Sequence, residues 1–526
     1  MIQLKEIKDL ISSMSKSEKR HFTLYASRHV VGEENLYLTL FCEIERLKEP
    51  DKINLARNLS KRGYNDKHLS QRKYYLYRLI LKSLNAFHSA SYIDAELSEL
   101  LSQVQILYRK GLSDQYEKLI SKAKKIAYEN EKYLKLLEIF QLEKRMILSS
   151  LENHANLSHE VINKLEHEEN KLIDFYEECS RFEWQELRLN SIMLKHGSIR
   201  NAMQLKPYNA IVKHPDMSLK NLPTSLPARI IFLENHAIYN SVRRNFKESL
   251  YFHELARKHM ETSPTYLSEN ILIYIPILGN IAQCSINLEM FEKAEEAITA
   301  LWEVYESIDS KKAKVKEAKV RAFIYYSLLK LRSQARIGKI EEAKKTISEI
   351  QAATEKQYGL LGQRNLMLLK FHISQIYFIA GDYKKALRIL NTIINDKSLK
   401  LSPQLEIVVR IVNILIHIEL GNYDIIESNI RNSLKDITKT KHHYQFEIKL
   451  LKFLEVHHYN LSVGKETFNN EIRKLGTELK QICQNPYENR PLDYFDFFAW
   501  LESKAQNRPM LEVIKIKPNT NSLALG

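Results

Sequence analysis

One phrase that recurs three times between Asn280 and Ile393 constrains the fold more than any other feature of the chain. Each copy joins the end of an amphipathic helix, a tight turn and the start of a second helix that can pack back against the first. The copies are Asn280-Ile-Ala-Gln-Cys-Ser-Ile-Asn-Leu-Glu-Met-Phe-Glu-Lys-Ala294, Gly338-Lys-Ile-Glu-Glu-Ala343 and Ser374-Gln-Ile-Tyr-Phe-Ile-Ala-Gly-Asp-Tyr-Lys-Lys-Ala386. Helical hairpins that recur in this way stack on their neighbours, so the phrase predicts an all-α repeat protein.

The composition agrees with long helices. The 526 residues include only 13 Gly and 12 Pro, whereas a β-rich fold of this length would need many more turn residues. Hydrophobic residues make up 44% and charged residues 27%, as in a folded water-soluble protein. The net charge of +15 permits contact with nucleic acid or with an acidic protein, but it proves neither.

Cysteine usage and hydropathy predict a cytoplasmic protein without a membrane segment. The four cysteines are widely separated and form no CxxC pair, so we expect buried thiols in a reducing compartment; they are Cys42, Cys179, Cys284 and Cys483. The N-terminus has charges every few residues and no apolar signal core. Polar residues interrupt the most apolar stretch, Ile407 to Leu420, which is also too short to span a bilayer.

Residues 1–95 are predicted to form a separate N-terminal helical bundle of five helices. Ser15 with Glu18 is an N-cap signal for the second helix, and Asp51 can cap the fourth. The turn Gly63-Tyr-Asn-Asp66 leads into a long fifth helix that ends near Phe87.

The fifth helix has a polar face with two interpretations. That face carries Gln71, Tyr75, Arg78, Lys82 and Asn85, with Lys67, Arg72 and Lys73 nearby. A basic and aromatic second helix after a short turn could enter a DNA major groove, with Arg72, Arg78 and Lys82 as the contacts. An ordinary solvated face of a capping bundle would have the same composition. The sequence leaves both interpretations open.

Three further segments follow the bundle. Residues 96–206 are predicted to form degenerate helical hairpins, and residues 228–440 the regular array. Between them, four prolines from Leu205 to Arg229 predict an irregular connection. Residues 441–526 are predicted to form a C-terminal helical cap and tail that covers the helix from Ile407 to Leu420, because that helix is apolar on almost every side. The aromatic cluster Asp493-Tyr-Phe-Asp-Phe-Phe-Ala-Trp500 is predicted to be the core of this cap.

The array resembles the tetratricopeptide repeat (TPR) family. The matching residues are Asn280-Ile-Ala282 with Phe291 and Ala294, and Ser374, Tyr377, Gly381, Tyr383 and Ala386. The repeat is about 40 to 50 residues long, whereas the usual family period is about 34 residues. The long period and the helical bundle in front are similar to bacterial regulatory TPR proteins that bind peptides or proteins. The resemblance implies a right-handed superhelix of stacked helical hairpins.

The resemblance also implies a concave groove lined by the first helix of each hairpin. By position, the lining of this predicted groove would be Asn280, Gln283, Asn287, Arg332, Arg336 and Gln375. Such a polar lining is suited to an extended peptide or a partner helix, although the same side chains could simply face water. The expected function is therefore a scaffold or adaptor that binds a protein or peptide. The alternative is a transcriptional or signalling regulator, with a DNA-binding bundle and a ligand-sensing array.

The search for catalytic chemistry gives no candidate. No HExxH, GxxxxGK[ST], GxGxxG or GxSxG motif occurs, and the carboxylates are scattered over helix faces. His442-His443 and His457-His458 are adjacent pairs, whose side chains point apart on a helix. We therefore expect no enzyme activity, no catalytic residue, no metal and no cofactor. The third alternative is an enzyme whose titratable groups cluster in a cleft that only a structure can show.

Overall fold

The structure is a computed structural model, and most of the residues it describes lie in α-helices. Over the described residues it contains 25 α-helices and no β-strand, which confirms the predicted all-α class. The chain divides into two compact units, residues 1–169 and residues 170–526. The described residues are 2–28, 36–61, 68–88, 93–149, 159–196, 199, 201–308, 313–357, 362–396, 402–440, 444–463 and 468–516.

The first unit holds the helices up to the beginning of the ninth. They are α1 (Leu4–Ser13), α2 (Lys16–Ser27), α3 (Leu36–Arg46), α4 (Lys52–Ser60), α5 (Leu69–His88), α6 (Ile93–Arg109), α7 (Ser113–Glu129) and α8 (Tyr133–Ser149). The boundary between the units falls within α9 (His159–His196).

The second unit contains the remaining helices of the described chain. They are α10 (Ala202–Val212), α11 (Leu226–Val242), α12 (Phe246–Glu261), α13 (Pro264–Glu269), α14 (Ile271–Asn287), α15 (Phe291–Ser307), α16 (Ala313–Ile337), α17 (Ile340–Gln357), α18 (Gln363–Ile379), α19 (Tyr383–Ile394), α20 (Pro403–Leu420), α21 (Tyr423–Thr440), α22 (Gln445–Val463), α23 (Asn469–Ile482), α24 (Phe497–Gln506) and α25 (Met510–Ile516).

The predicted N-caps of the first unit are confirmed. The Ser15 hydroxyl accepts a hydrogen bond from the Glu18 N–H at 3.2 Å, and the Glu18 carboxylate accepts one from the Ser15 N–H at 2.6 Å. This reciprocal arrangement is a capping box, which satisfies two backbone donors that have no partner within the helix. The Asp51 carboxylate accepts from the Ile53 N–H at 2.8 Å and starts α4 in the same way.

The recurring phrase is a Schellman turn, in which one residue adopts the left-handed conformation and a backbone hydrogen bond spans six residues. The left-handed residues have φ between 55° and 78° and are Gly111, Glu131, Arg244, Glu289, Gly338, Gly381 and Gly421. In each turn the next N–H donates to the carbonyl five residues earlier, at 2.8 to 3.1 Å. The fifth residue after each of them is buried; these residues are Tyr116, Leu136, Ser249, Ala294, Ala343, Ala386 and Ile426.

Helices on either side of such a turn pack together in the second unit. α11 contacts α12, α14 contacts α15, α16 contacts α17, α18 contacts α19, and α20 contacts α21. First helices also contact each other, since α16 packs against both α14 and α18. One close approach is at Gly279 of α14, where an added Cβ atom would lie 2.2 Å from Cδ1 of Tyr325 on α16. The right-handed superhelix and the four predicted segments, 1–95, 96–206, 228–440 and 441–526, stay predictions.

The apolar helix α20 is buried on all sides, as predicted. Its apolar residues from Ile407 to Ile418 are at most 8% exposed. α19, α21 and α22 contact it, so part of the cover comes from the predicted C-terminal segment. The aromatic cluster is also internal, with Phe495, Phe497 and Trp500 at most 3% exposed.

Two expectations were wrong. The stretch from Leu205 to Arg229 is not irregular throughout, because α10 continues through Pro207. The burial of Leu205 and Tyr208 in a local apolar cluster offsets the backbone hydrogen bond that a proline cannot make. Of the four thiols expected to be buried, Cys42 is exposed and Cys483 is only partly buried. Cys42 is exposed because the inner face of α3 is formed by neighbouring residues such as Phe41 and Ile44. Among the described residues, no helix combines the length and apolar character that crossing a membrane requires.

Candidate functional site

Three residues of the predicted groove lie on one face of α14. Asn280, Gln283 and Asn287 are three and four residues apart, a spacing that places side chains on the same side of a helix. All three are partly buried. The side-chain oxygen Oδ1 of Asn287 accepts hydrogen bonds from Nε2 of Gln283 at 3.4 Å and from Nη2 of Arg332 at 2.8 Å. Arg332, on α16, is thereby held against the polar face of α14.

These four side chains line a single cavity of about 360 Å³, which we call the Arg332 cavity. Its other walls come from α16, α18, the start of α20 and an irregular segment near the C-terminus. Arg364 and Ser402 also line it, and both are exposed, so they mark its mouth. The apolar part of the lining consists of Phe246, Leu328, Leu329, Met367, Leu368 and Leu405.

The irregular segment, residues 485–494, is here called the strap. It contains turns and a short 3₁₀ helix at Arg490–Asp493, and α24 follows it closely. Two residues of the predicted groove bind its backbone. Arg336 donates to the carbonyl oxygen of Leu492, and Gln375 donates to that of Tyr494.

A buried ion pair holds the strap at the turn between α11 and α12. The Arg244 guanidinium donates to both oxygens of Asp493, at 2.6 Å and 2.9 Å. Burial alone would raise the pKa of Asp493, but the charge and hydrogen bonds of Arg244, helped by Arg332 and Arg490, lower it below its ordinary value. Asp493 is therefore a carboxylate in the folded protein at neutral pH.

Residues beyond the strap anchor it to the rest of the second unit. Glu419, at the end of α20, accepts hydrogen bonds from Nε1 of Trp500 at 2.8 Å and from Nζ of Lys504 at 2.6 Å. α25 contacts α16, and three of its side chains lie within 3.4 Å of where a Cβ atom of Gly338 would be. Since Trp500 is fully buried, the strap is tethered at its C-terminal end by the protein core.

A second cavity of about 730 Å³ also lies against the strap. It shares Phe246, Asn287 and Asp493 with the Arg332 cavity, and its lining includes Arg336. Asp493 and its ion pair therefore separate two spaces that border the predicted groove.

Burial lowers the pKa of two groups at the Arg332 cavity. It lowers the pKa of Arg332 to about 10, with Arg336 and Arg244 adding to the effect of burial and Asp493 opposing it. Burial and the charge of Arg332 lower the pKa of His372 to about 4. At neutral pH the cavity thus contains a charged arginine beside a neutral histidine.

The structure places the six residues predicted to line the groove at two cavities and at the strap. Four line the Arg332 cavity, Arg336 lines the second cavity, and Gln375 lines neither but binds the strap. Sequence reasoning missed Arg244, His372, Arg490 and Asp493. Asp493 had a local signal, since it begins the aromatic cluster that is predicted to be the core of the cap.

The predicted nucleic-acid contacts lie on α5 in the first unit. Arg78 and Lys82 are exposed, and so are the other residues of the predicted polar face, Gln71, Tyr75 and Asn85. The Arg78 guanidinium lies 5.7 Å from the centre of the exposed Tyr74 ring. Arg72 is only partly exposed. The turn predicted at residues 63–66 lies outside the described residues.

Comparisons with protein-family models, with curated proteins and with solved structures found no match to this chain.

Proposed function

We propose that the protein is a cytoplasmic TPR-like scaffold or adaptor that binds a protein or peptide at the surface formed by α14, α16 and α18. The observation that supports this proposal is the way the strap is held. Arg336 and Gln375 bind its main-chain carbonyls, and Arg244 binds its Asp493 carboxylate. Side chains at this surface thus form hydrogen bonds with the polar groups of an irregular polypeptide segment. Binding a partner segment would require the same kind of contact.

The Arg332 cavity is the part of the surface that a partner can enter. The strap is tied to the buried residues Phe495 and Trp500, so its removal would expose the core. The cavity instead presents the amides of Asn280 and Gln283, which can donate to and accept from a peptide backbone. A partner segment would therefore bind beside the strap.

Site-specific photo-cross-linking tests this proposal. The full-length protein carries a benzophenone amino acid at Gln283 and is irradiated in a lysate of the organism that carries the gene. We expect a cross-linked polypeptide that mass spectrometry identifies, whereas a probe at the exposed Tyr251 of α12 should not capture it. Cross-links from Gln283 only to the protein's own strap would contradict the proposal.

A combined variant tests which side chains contribute. Replacing Asn280, Gln283 and Arg332 together by alanine should abolish capture by a probe placed at Leu405, which lines the same cavity. Circular dichroism verifies that the helices remain. Capture that survives the triple change would show that the partner binds elsewhere.

A second candidate function is nucleic-acid binding by α5, and the observation that favours it is the exposed face described above. Positive side chains interleaved with exposed aromatic rings are suited to phosphates and to stacked bases. In this proposal Arg78 and Lys82 contact phosphates, while Tyr74 and Tyr75 lie close enough to contact sugars or bases.

Fluorescence anisotropy with a labelled DNA duplex tests the second candidate. Affinity should fall steeply with salt, and replacing Arg78 and Lys82 by alanine should weaken binding at low salt by at least about tenfold. The matched control replaces Lys118 and Lys122 of α7, which are exposed and have the same spacing. Equal losses in the two double variants would reject a specific role for α5.

A further inference from the structure

The walls of the Arg332 cavity contain more positive than negative charge. Two arginines near the strap have carboxylate partners, because Arg244 pairs with Asp493 and Arg336 lies 3.9 Å from Asp496. Arg332 and Arg490 line the cavity, yet neither has a carboxylate within ion-pair distance among the described residues. Both act on Asp493 only through space, and that carboxylate is already bound by Arg244. Two positive charges therefore remain without a paired anion.

Three buried nitrogen atoms at this cavity make no hydrogen bond to the protein. They are Nε of Arg332, Nε of Arg490 and Nδ1 of His372. Buried polar atoms are nearly always hydrogen-bonded, and a buried charge without a partner is costly. The two guanidiniums that line the cavity without a carboxylate partner therefore indicate that the cavity can receive acceptor atoms with negative charge.

The remaining lining defines the rest of the ligand. Leu328, Leu329, Met367 and Leu368 supply an apolar wall, and Asn280 and Gln283 supply amides. A cavity of about 360 Å³ is larger than an inorganic anion requires and lies within the range of small-molecule sites. Arg364 at the mouth adds a positive charge along the entry path.

We propose that the Arg332 cavity binds a small organic molecule that carries an oxyanion, a carboxylate or a phosphate, on an apolar body. The guanidiniums of Arg332 and Arg490 bind the oxyanion, and the apolar wall covers the body. Guanidinium groups match both carboxylate and phosphate oxygens, so the geometry names the shared chemistry rather than one acid.

This inference goes beyond polypeptide binding and does not depend on it. A ligand at this position would contact α14, α16, α18 and the strap at once, because all of them line the cavity. It would therefore link the strap to the helices by contacts that the protein alone does not make.

Calorimetric titration of the full-length protein tests the inference with four probes. Phenylacetate and phenyl phosphate carry an oxyanion on an apolar body, while acetate and inorganic phosphate carry the oxyanion alone. At constant ionic strength we expect saturable one-site binding of at least one aromatic probe, with a Kd below about 1 mM. The corresponding probe without an apolar body should bind at least about tenfold more weakly. Whichever aromatic probe binds more tightly identifies carboxylate or phosphate as the preferred group.

Three variants connect binding to the named side chains. Arg332→Gln and Arg490→Gln should each weaken the binding of the aromatic probe by at least about tenfold. Arg388→Gln, an exposed arginine of α19 outside the cavity, should bind as the wild type does. Arg490 lies on the strap and is only partly buried, so its variant remains informative if Arg332→Gln does not fold.

Two results would overturn the inference. One is that none of the four probes binds saturably to the folded wild-type protein. The other is that Arg332→Gln and Arg490→Gln both bind with wild-type affinity. Neither result bears on photo-cross-linking at Gln283, so a failure here is separable from a failure of the proposed polypeptide binding.

Discussion

Arg244 and Asp493 are 249 residues apart in the sequence and form a two-point ion pair, with Nη1–Oδ2 at 2.6 Å and Nη2–Oδ1 at 2.9 Å. The Arg244 side chain is 6% exposed and that of Asp493 is 21% exposed. The pair connects the first array turn to the strap. Its burial makes the charge of each partner costly when the other is removed.

Replacing Asp493 by alanine should therefore destabilise the second unit. The Arg244 charge would remain buried without its partner, and we expect the free energy of unfolding to fall by about 3 kcal/mol. Urea denaturation followed by tryptophan fluorescence measures this, because Trp184, Trp302 and Trp500 all lie in residues 170–526.

A surface pair supplies the control for Asp493. Glu427 pairs with Arg431 within α21, and both side chains are more than half exposed. Glu427→Ala should lower stability by less than about 1 kcal/mol. If the two alanine variants lose the same stability, the strap pair contributes no more than a solvent-exposed pair.

Gly279 should not tolerate a methyl group. A Cβ atom there would lie 2.2 Å from Cδ1 and 2.5 Å from Cε1 of Tyr325, so the Tyr325 ring or the two helices would have to shift. Alanine normally favours a helix over glycine by about 1 kcal/mol, but this clash should outweigh that gain and destabilise the protein by about 1 to 3 kcal/mol.

The control for Gly279 is a glycine with free space around it. Gly476, on α23, has no atom within 4 Å of the position its Cβ would take. Gly476→Ala should therefore raise the free energy of unfolding by about 0.5 to 1 kcal/mol. Opposite signs in the two variants, measured by urea denaturation, would confirm the close approach of α14 and α16; a stabilising Gly279→Ala would contradict it.

Local signals in the sequence predicted local structure well, and long-range contacts poorly. The Ser15 capping box and the Asp51 cap depend on residues two or three positions apart, so they could be predicted. Pro207 misled the prediction because its local penalty is opposed by the burial of Tyr208, which depends on distant residues.

Only the helix residues of the candidate site could be predicted from the sequence, and their partners on the strap could not. Repeat position predicted Arg336 and Gln375 as groove-lining side chains, but nothing in the sequence pointed to strap carbonyls as their acceptors. No pattern of residues encodes a contact between Arg244 and Asp493, because the chain between them can follow many paths. For the same reason the clustering of Arg332, Arg490 and His372 appears only in three dimensions.

Replacing Glu289 by glycine should stabilise the protein. It is the left-handed residue of the turn after α14, with φ of 58°, a conformation that costs an L-residue about 1 to 2 kcal/mol. Because glycine also gives the unfolded chain more freedom, we expect Glu289→Gly to gain a net of about 0.5 kcal/mol.

The comparison for Glu289 is Glu296, an exposed residue within the neighbouring helix α15. Glu296→Gly should lose about 1 kcal/mol, since glycine disfavours a helix interior. Thermal unfolding followed by tryptophan fluorescence gives both changes. Destabilisation of the same size in the two variants would contradict the role of the left-handed turn.

His372 should make the protein less stable as the pH falls below neutral. Its pKa is 6.5 in an unfolded chain and is lowered to about 4 in the folded protein, by burial first and then by Arg332. Between these values the unfolded chain binds more protons, so stability is lost as the pH decreases from 6.5 towards 4. From pH 7 to pH 5 the contribution of this side chain amounts to about 2 kcal/mol.

Replacing His372 by glutamine should reduce that pH dependence. The difference in unfolding free energy between pH 7 and pH 5 should shrink by about 2 kcal/mol. Part of the difference should remain, because burial also lowers the pKa of His236 and of His417. His214→Gln, at an exposed position, should leave most of the difference in place. An unchanged difference in His372→Gln would mean that this histidine is protonated equally easily in the folded and unfolded chains.

The four thiols should differ sharply in reactivity. Burial raises the pKa of Cys179 and Cys284 to about 11 and that of Cys483 to about 12, so very little thiolate forms at neutral pH. Cys42 is exposed on α3 and open to reagents. Brief treatment of the native protein with N-ethylmaleimide, followed by peptide mass spectrometry, should show Cys42 modified at least about tenfold faster than the other three.

Cys42→Ser should remove the fast reaction, and all four thiols should react alike in denaturant. Rapid labelling of Cys284 in the native protein would contradict the packing of α12 against α14, since its sulfur lies 3.5 Å from the buried Ser249 hydroxyl.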